Sequence, residues 1–156
     1  MIIDAHTHRY PSEAFADPVA FAKPRKEGHW LGLVAPEDGP NLQGWADGEK
    51  MLEDMQVAKV DRCALLAWYW ENPATCKWHN DWNARWIREE PERFFAFAAV
   101  HPQLEDPVGE LQKRHEEGFS GIGECHPWAQ GFSMRDPTWL ACMEFAQDKG
   151  WPVNFH

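Results

Sequence analysis

The sequence predicts an α/β protein of the (β/α)₈-barrel type, because short apolar strands alternate with helices along its 156 residues. Five segments have the near-continuous apolar character of strands that are covered on both faces of a sheet. They are residues 2–8, 60–69, 94–101, 119–125 and 152–156. From the second strand onward, the spacing is close to the roughly 30 residues of one βα unit in such a barrel. The alternation therefore indicates parallel strands joined by right-handed crossovers.

A helix candidate lies in each interval between these strands. The first two carry an apolar face, with Met51 and Met55 in one and Trp78, Trp82 and Trp86 in the other. The last two begin at an Asp-Pro pair and end at a glycine, as capped helices do. These pairs are at 106–107 and 136–137, and the glycines are at 118 and 150. We therefore expect 1–156 to be one domain that supplies about five strands and four helices of the barrel and lacks its C-terminal units.

An open, doubly wound sheet would show the same alternation. Its usual mark is a G-x-G-x-x-G turn after the first strand, and the sequence has none there. Residues 9–43, which follow the first strand, form an insertion loop rich in Pro and Gly. Because the loops after barrel strands surround the active site, we expect this insertion to cover the mouth of the pocket, with Phe21 or Trp30 reaching over it.

Charge and cysteine usage limit the partners and the compartment. The net charge is −10, from 25 acidic and 15 basic residues. Nucleic acid and anionic membranes are not expected as partners, since both require clustered Lys and Arg. The cysteines lack C-x-x-C spacing and indicate reduced thiols in a cytoplasmic protein. A small molecule is the expected partner, and the oligomeric state, including a homo-oligomer, stays open.

The clearest chemical motif, Asp4-Ala5-His6-Thr7-His8, closes the first strand. Because strand side chains alternate with a period of two, His6 and His8 are predicted to point to one face, with Asp4 one step deeper. Two imidazoles at the carboxyl end of a barrel strand can bind one divalent ion, and Asp4 would orient one of them. The alternative is two unrelated polar residues at a strand end, since an H-x-H pattern also arises by chance.

A carboxylate, Glu124, lies in the otherwise small and apolar fourth strand. Its burial is costly unless it is paired or bound to a metal. Its position near the end of the strand predicts a side chain at the same mouth as His6 and His8. The alternative is a structural role, with the carboxylate bonded to backbone amides or to an arginine.

Other histidines and one tryptophan are weaker candidates. His101 and His126 each precede a proline near the end of a strand, where they would either contact substrate or cap the turn. Trp70, just past the second strand, is a further candidate for the pocket wall. The remaining histidines are expected at the surface: His29, His79 and His115.

Taken together, these segments resemble the amidohydrolase superfamily, especially its branch of small-molecule hydrolases and decarboxylases. The first strand of that branch is similar to MIIDAHTHRYP, its second helix-strand unit to MLEDMQVAKVDRCALLA, and its third strand to PERFFAFAAVHPQ. Its fourth strand and loop resemble GFSGIGECHPWAQGFSMRDP, and its fifth strand resembles GWPVNFH. The resemblance implies a (β/α)₈ barrel with a divalent metal in its active site.

The resemblance also implies roles for particular residues. The metal ligands would be His6, His8 and His156, with Glu124 as a further or bridging ligand. The GIGE segment is similar to the glutamate form of the TatD-like branch, whereas the closer branch commonly has lysine there. One ion and two ions therefore both stay open, and zinc is the expected metal. The aspartate that acts on metal-bound water in the superfamily would lie beyond residue 156.

These features predict a metal-dependent hydrolase. A divalent ion lowers the pKa of bound water from about 15.7 toward about 7. The activated water would attack an amide, lactone or ester bond of a small, carboxylate-bearing molecule. Two alternatives stay open: a non-oxidative metal-dependent decarboxylase of the same superfamily, and a non-catalytic binding module or truncated, inactive fragment.

Overall fold

The computed structural model describes residues 1–41 and 48–156, and its strands run parallel in chain order. The strands are β1 (Ile3–Thr7), β2 (Arg62–Leu66), β3 (Phe94–Phe97), β4 (Ile122–Cys125) and β5 (Val153–Phe155). The first three form one sheet and the last two another. A parallel bridge between Ala98 and Ile122 joins the two sheets. The predicted α/β architecture with parallel strands is therefore confirmed.

The insertion after β1 is helical, where the sequence predicted a loop. It contains α1 (Ser12–Ala16), α2 (Pro18–Arg25) and α3 (Gly28–Val34). These helices are too short to be stable alone, and tertiary packing stabilises them. Each buries apolar side chains, among them Ala14, Phe21 and Trp30. Residues 42–43, with which the predicted insertion ends, lie outside the described residues.

The four predicted helices form between the strands, and a short helix is added after β4. They are α4 (Gly48–Ala58), α5 (Pro73–Glu89), α6 (Pro107–Glu116), the short α7 (Pro127–Gln130) and α8 (Pro137–Lys149). Asn72, Asp106 and Asp136 cap α5, α6 and α8 by accepting a backbone N–H of the first turn. Among the described residues, no helix combines the length and the apolar character that crossing a membrane requires.

The main core lies between the sheet and the helices α4, α5, α6 and α8. Leu65, Ala96, Ala98 and Ile122 from the strand region have no exposed surface and belong to one cluster with Leu111 of α6. Burial of one large aliphatic side chain contributes about 1.5–3 kcal/mol to folding. This cluster fixes the positions of the central strands and therefore of the turns that follow them.

A second, aromatic cluster joins the insertion to the turn after β2. It contains Tyr10, Phe21, Trp30, Trp68 and Trp70. The ring centroids of Trp30 lie 5.3 Å from Trp70 and 5.4 Å from Phe21, which are favourable aromatic contacts. The insertion therefore lies at the carboxyl ends of the strands, where barrel active sites lie. Phe21 and Trp30 are buried inside this cluster instead of reaching over an opening.

The outer strands of the described sheet, β1 and β5, are the least covered. Ile2, Ile3 and Phe155 expose 56%, 47% and 43% of their surface, whereas β2 and β4 are almost entirely buried. Among the described residues, each outer strand pairs with a neighbour on one side only. Apolar side chains therefore remain accessible on both outer strands.

A buried ionic network connects α5 to α6 and to the end of β3. Arg114 of α6 has no exposed surface and bonds Glu110 at 2.6 Å and Asp81 at 2.7 Å. Glu110 also accepts a hydrogen bond from Asn80 at 3.0 Å. The Asn80 amide then bonds both the carbonyl and the N–H of Ala99. The turn after β3 is therefore attached to two helices.

We expect Arg114→Met to lower the free energy of unfolding by about 3–5 kcal/mol, because it leaves a buried carboxylate at Glu110 without its ionic partner. The matched control is Arg85→Met in α5, whose ion pair with Glu89 is about half exposed. Exposed pairs contribute only about 0.2–1 kcal/mol. Denaturant unfolding measures both effects, and equal losses in the two variants would contradict the importance of the buried network.

Candidate metal centre

Three side-chain donor atoms converge at the carboxyl ends of β1 and β4. The Nε2 atoms of His6 and His8 are 3.1 Å apart. Oε2 of Glu124 lies 3.7 Å from the first and 3.4 Å from the second. We call this arrangement the donor triangle, and its three residues are grouped closely enough to bind one metal ion. The structure thus brings together three of the four residues that were predicted as ligands.

A backbone carbonyl sets the orientation of His8. Its Nδ1 lies 3.0 Å from the Leu66 carbonyl, which can only accept, so Nδ1 carries the proton. The lone pair of Nε2 is therefore free to face the donor triangle, as metal-binding histidines require. Burial, together with the nearby His8, lowers the pKa of His6. This shift favours the neutral imidazole that binds a cation.

Asp4 bonds the backbone of His6 and, among the described residues, neither imidazole ring. Its carboxylate accepts the backbone N–H of His6 at 3.1 Å. The pairing between β1 and β2 is irregular at this point, because the register shifts between Asp4 and Thr7. Strict alternation of side chains ends at such an irregularity, so the face of Asp4 does not follow from the strand period. The Leu66 carbonyl provides the orienting bond instead.

Glu124 enters the site from a closely packed part of β4. Its backbone N–H donates to the Ala67 carbonyl at 2.7 Å, which connects β4 to the turn after β2. A Cβ at Gly123 would lie 2.9 Å from the Cβ of Asn154, so the neighbouring strand excludes a side chain there. The small residues of β4 therefore bring its backbone close to β5 and direct Glu124 inward.

The environment of the Glu124 carboxylate calls for a cation. The side chain is 1% exposed, and among the described residues its Oε2 has no hydrogen-bond partner. Burial raises the pKa of Glu124, but the neighbouring His8 and His156 outweigh it and lower the pKa below its usual value. An anionic oxygen that is buried without a partner is costly. A metal ion at the donor triangle would compensate this charge.

His156 contacts the other oxygen of the same carboxylate. Its Nδ1 lies 2.6 Å from Oε1 of Glu124, and its side chain is 50% exposed. It also stacks on His126, with ring centroids 5.2 Å apart. His156 thus stands beside the donor triangle, and its role as a ligand stays a prediction. A carboxylate that faces histidines with both oxygens is compatible with one ion or with two.

The dimensions of the donor triangle suit a small divalent cation. Tetrahedral zinc with bonds of about 2.0–2.1 Å places its ligand atoms about 3.3 Å apart. An octahedral ion with bonds of about 2.1 Å places neighbouring ligand atoms about 3.0 Å apart. The three observed edges, 3.1, 3.4 and 3.7 Å, are compatible with either geometry. The residues present therefore fit a divalent metal without selecting between zinc and manganese.

A wall of rings extends from the metal centre toward solvent. Tyr69, in the turn after β2, has its ring 4.9 Å from those of His126 and His156. His29 of α3 lies 5.8 Å from His126. Trp128 of α7 is 79% exposed and lies 6.0 Å from both His29 and His126. This ring wall includes His126, which the sequence predicted, and His29, which it did not. The signal that could have found His29 is its place in the insertion beside the mouth.

Two other predicted substrate residues do not reach the ring wall. His101 is fully buried, bonds the Gln130 carbonyl at 2.9 Å through Nε2, and accepts the Gln103 N–H at 3.1 Å through Nδ1. Trp70 is fully buried in the aromatic cluster and donates to His79 at 3.0 Å. Their polar groups are satisfied within the protein. In this structure both residues stabilise turns, and no ring nitrogen of His101 is free for a substrate.

A second buried carboxylate, Glu27, attaches the insertion to the turn after β2. It is 1% exposed and accepts the backbone N–H groups of Glu71 at 2.8 Å and Asn72 at 3.1 Å. Glu71 in turn accepts the backbone N–H of His29 at 2.7 Å. Burial raises the pKa of Glu27 from about 4.5 to about 7, although its hydrogen bonds oppose this shift. These bonds fix His29 relative to Tyr69 in the ring wall.

The chain is an α/β protein whose parallel strands and intervening helices have the order of a partial barrel. At the ends of its strands, the donor triangle can bind a metal. The sequence matches the amidohydrolase family over residues 3–156. The chain therefore belongs to the amidohydrolase family. No curated protein matches the sequence.

Solved structures share this fold at low sequence identity. A manganese complex of 5-carboxyvanillate decarboxylase from Novosphingobium aromaticivorans matches with a TM-score of 0.74 and 19% identity, over 100% of this chain and 50% of its own. A 4-oxalomesaconate hydratase from Rhodopseudomonas palustris matches with a TM-score of 0.66 and 20% identity, over 100% of this chain and 52% of its own. A probable 2-pyrone-4,6-dicarboxylic acid hydrolase from Acinetobacter baumannii matches with a TM-score of 0.61 and 14% identity, over 99% of this chain and 49% of its own. The chain spans about half the length of these structures.

We expect Glu124→Gln to weaken the binding of Zn²⁺ and Mn²⁺ by about 10–100-fold or more, since even residues that only support metal ligands contribute this much. The fold should persist, because glutamine fills the same volume. Elemental analysis after dialysis measures the bound metal. Glu110→Gln is the matched control, since it changes a buried carboxylate outside the site and should leave metal binding intact. Unchanged metal content in Glu124→Gln would assign Glu124 a structural role.

Glu27 is expected to make stability depend on pH. Because burial raises its pKa to about 7 in the folded protein, the folded state binds more protons than the unfolded state between about pH 4.5 and 7. The stabilisation by Glu27 is thus complete below pH 4.5 and is lost as the pH rises through 7. The difference in unfolding free energy between the wild type and Glu27→Gln should change by on the order of 3 kcal/mol over this range. A difference that is independent of pH would refute the assignment.

Proposed function

We propose that the protein carrying this chain is a metal-dependent hydrolase that uses an activated water against an amide, lactone or ester bond of a small molecule. The observation that carries this proposal is the convergence of two imidazole nitrogens on a buried carboxylate oxygen, at His6, His8 and Glu124. Within the described part of the chain, that oxygen has no hydrogen-bond partner. Three protein ligands leave a coordination position open for water or substrate, as in catalytic metal sites. Membership of the amidohydrolase family supports the same chemistry.

The residues of this chain would prepare the site for that reaction. A bound divalent metal would lower the pKa of water and polarise the substrate carbonyl. His8 directs Nε2 inward because the Leu66 carbonyl engages its Nδ1. His156 holds a proton at Nδ1 against Oε1 of Glu124, and it is half exposed, so it is placed to exchange protons with solvent. An aspartate acting on the water, which the resemblance puts beyond residue 156, stays a prediction.

The ring wall favours a flat, anionic substrate. Nδ1 of His126 lies 3.5 Å from the Ala129 N–H and accepts from it, so the proton of the neutral ring is at Nε2. Burial is the main cause of a lowered pKa at His126, which keeps the ring neutral near pH 7. The exposed indole of Trp128 offers a face on which a planar molecule can stack. We therefore propose a small cyclic or aromatic carboxylic acid as the substrate.

Two of the similar structures support this substrate class. The decarboxylase is in complex with 4-hydroxy-3-methoxy-5-nitrobenzoic acid, and the probable hydrolase is named for 2-pyrone-4,6-dicarboxylic acid and contains citric acid. All three molecules are small carboxylic acids. Their chemistry agrees with a ring wall that offers both N–H donors and aromatic faces.

The metal and the other partners are also proposals. We propose zinc from the sequence resemblance, with manganese as its rival because the decarboxylase structure contains it. The net charge of −10 argues against nucleic acid or an anionic membrane as a partner. Four buried, unpaired cysteines favour a cytoplasmic location. A small molecule is the proposed partner, and a homo-oligomer stays open.

A non-oxidative, metal-dependent decarboxylase is the second candidate. Its support is the likeness to two decarboxylases, one at a TM-score of 0.74 and a 2,6-dihydroxybenzoate decarboxylase from Rhizobium at 0.62. In that case the same centre would bind the carboxylate and release CO₂ instead of adding water. A non-catalytic binding module or a truncated, inactive fragment is the remaining reading. The binding module predicts no stoichiometric metal, whereas a fragment of the enzyme would still bind it.

The activity of the whole protein, loaded with Zn²⁺ or Mn²⁺, decides between these readings. We expect hydrolysis of a cyclic lactone, amide or ester that carries a carboxylate, and its loss on chelation. His6→Ala should lower kcat/KM by at least about 100-fold, because it removes a metal ligand. The control His115→Ala changes a histidine outside the site and should retain activity. Release of CO₂ without hydrolysis would establish the decarboxylase, and absence of both metal and turnover would support the binding module.

A further inference from the structure

His79 of α5 is buried and connects three separate segments, although the sequence predicted it at the surface. The side chain has no exposed surface. Its Nε2 lies 2.8 Å from the Arg9 carbonyl. Its Nδ1 lies 3.0 Å from Nε1 of Trp70 and 3.3 Å from the backbone nitrogen of Trp68. One imidazole therefore joins α5 to the chain after β1 and to the turn after β2.

The partners of His79 determine its tautomer. The Arg9 carbonyl can only accept, so Nε2 carries the proton and donates. The indole and backbone N–H groups of Trp70 and Trp68 can only donate, so Nδ1 carries a lone pair and accepts. Burial lowers the pKa of His79 to about 3, so the ring stays neutral at physiological pH. Both ring nitrogens are thus committed to bonds inside the protein.

Both segments that His79 joins also flank the metal centre. Arg9 directly follows His8 in the chain. Trp68 lies two residues after Leu66, whose carbonyl accepts the Nδ1–H of His8. The rings of His8 and Trp68 are in edge contact, with centroids 5.2 Å apart. The bonds of His79 therefore close a loop around His8 that runs through the ends of β1 and β2.

The β-ladder alone does not fix this part of β1. The pairs Asp4–Cys63 and Thr7–Leu65 leave one more residue on β1 than on β2. Such an irregularity bends the strand and interrupts its pairing. β1 is also mostly exposed and, among the described residues, pairs on one side only. Since the histidines lie within and just after this stretch, contacts outside the ladder contribute to their direction, and the bond of His8 to the Leu66 carbonyl is one of them.

We propose that His79 is a positioning residue for the metal centre, because its bond to the Arg9 carbonyl fixes the end of β1 and so directs Nε2 of His8 toward the donor triangle. The inference rests on the proposed function, since it requires His6, His8 and Glu124 to bind the metal. Its consequence is that a side chain without contact to the metal controls metal affinity.

The test is a titration of the metal-free whole protein with Mn²⁺ and with Zn²⁺ alone, against a chromophoric chelator. His79→Phe keeps a ring in the core and removes the three hydrogen bonds. It should weaken metal binding by about 10–100-fold, as loss of a residue that supports a ligand does. Asn80→Ala is the matched control on the next residue of α5, where it breaks bonds to Ala99 and Glu110. It should lower stability and leave the metal affinity unchanged.

Two conservative variants separate the two ends of the link and remain informative if His79→Phe does not fold. Glutamine places an N–H as far along the side chain as Nε2 and keeps a donor for Arg9. Asparagine places an oxygen where Nδ1 lies and keeps an acceptor for Trp70. We expect His79→Gln to bind metal more tightly than His79→Asn, because the bond to Arg9 acts on His8. The reverse order overturns the proposal.

Further outcomes distinguish failure of this inference from failure of the proposed function. If His6→Ala retains the metal, the centre itself is wrong and the role of His79 falls with it. If His6→Ala loses the metal but His79→Phe binds Mn²⁺ like the wild type, only the positioning role is wrong. Equal weakening by His79→Phe and Asn80→Ala would reduce the effect to general destabilisation and would also overturn the proposal.

Discussion

The rest of the site depends on how the buried carboxylate of Glu124 is compensated. It is 1% exposed, and one of its oxygens has no hydrogen-bond partner in the part of the chain that the structure describes. His8 cannot donate to that oxygen in its neutral form, because its proton is on the nitrogen that faces Leu66. A cation shared by His6, His8 and Glu124 would satisfy the lone pairs of the imidazoles and the charge of the carboxylate together. The small residues of β4 and the orientation of His8 both serve this convergence.

The irregular turns at the carboxyl ends of the strands need buried polar side chains as hydrogen-bond partners. Backbone groups in these turns lie beyond the β-ladders, and burial requires that they still be bonded. Glu27 bonds backbone groups after β2. His79 bonds backbone groups after both β1 and β2, and Asn80 bonds them after β3. Each of these side chains belongs to a helix or to the cap of one. The helices therefore position the turns. Among these side chains, Glu27 and His79 act on the turns beside the metal centre, so polar burial outside the centre supports its geometry.

Signals of short range explain what the sequence predicted correctly. Strand and helix periods, Asp-Pro caps and the H-x-H pattern all involve neighbours along the chain, and they predicted the five strands, four helices and two of the three converging donors, His6 and His8. Burial of a polar residue depends instead on partners that are distant in sequence. His79 bonds a carbonyl 70 residues away, and the bond of His101 spans 29 residues. The helices of the insertion were not predicted either, because they depend on an aromatic cluster with Trp68 and Trp70.

The donor triangle also constrains the shape of the sheet. β1 and β4 are separated by two intervening strands, and in a flat sheet they would lie about 14 Å apart at a spacing of about 4.8 Å. Nevertheless Nε2 of His6 lies 3.7 Å from Oε2 of Glu124, and the backbone of Glu124 bonds Ala67 after β2. The strands must therefore curve around a common interior, as they do in a barrel. A metal bound here would connect β1 to β4 across that interior, so its binding free energy would stabilise the curvature of the sheet as well as the catalytic site.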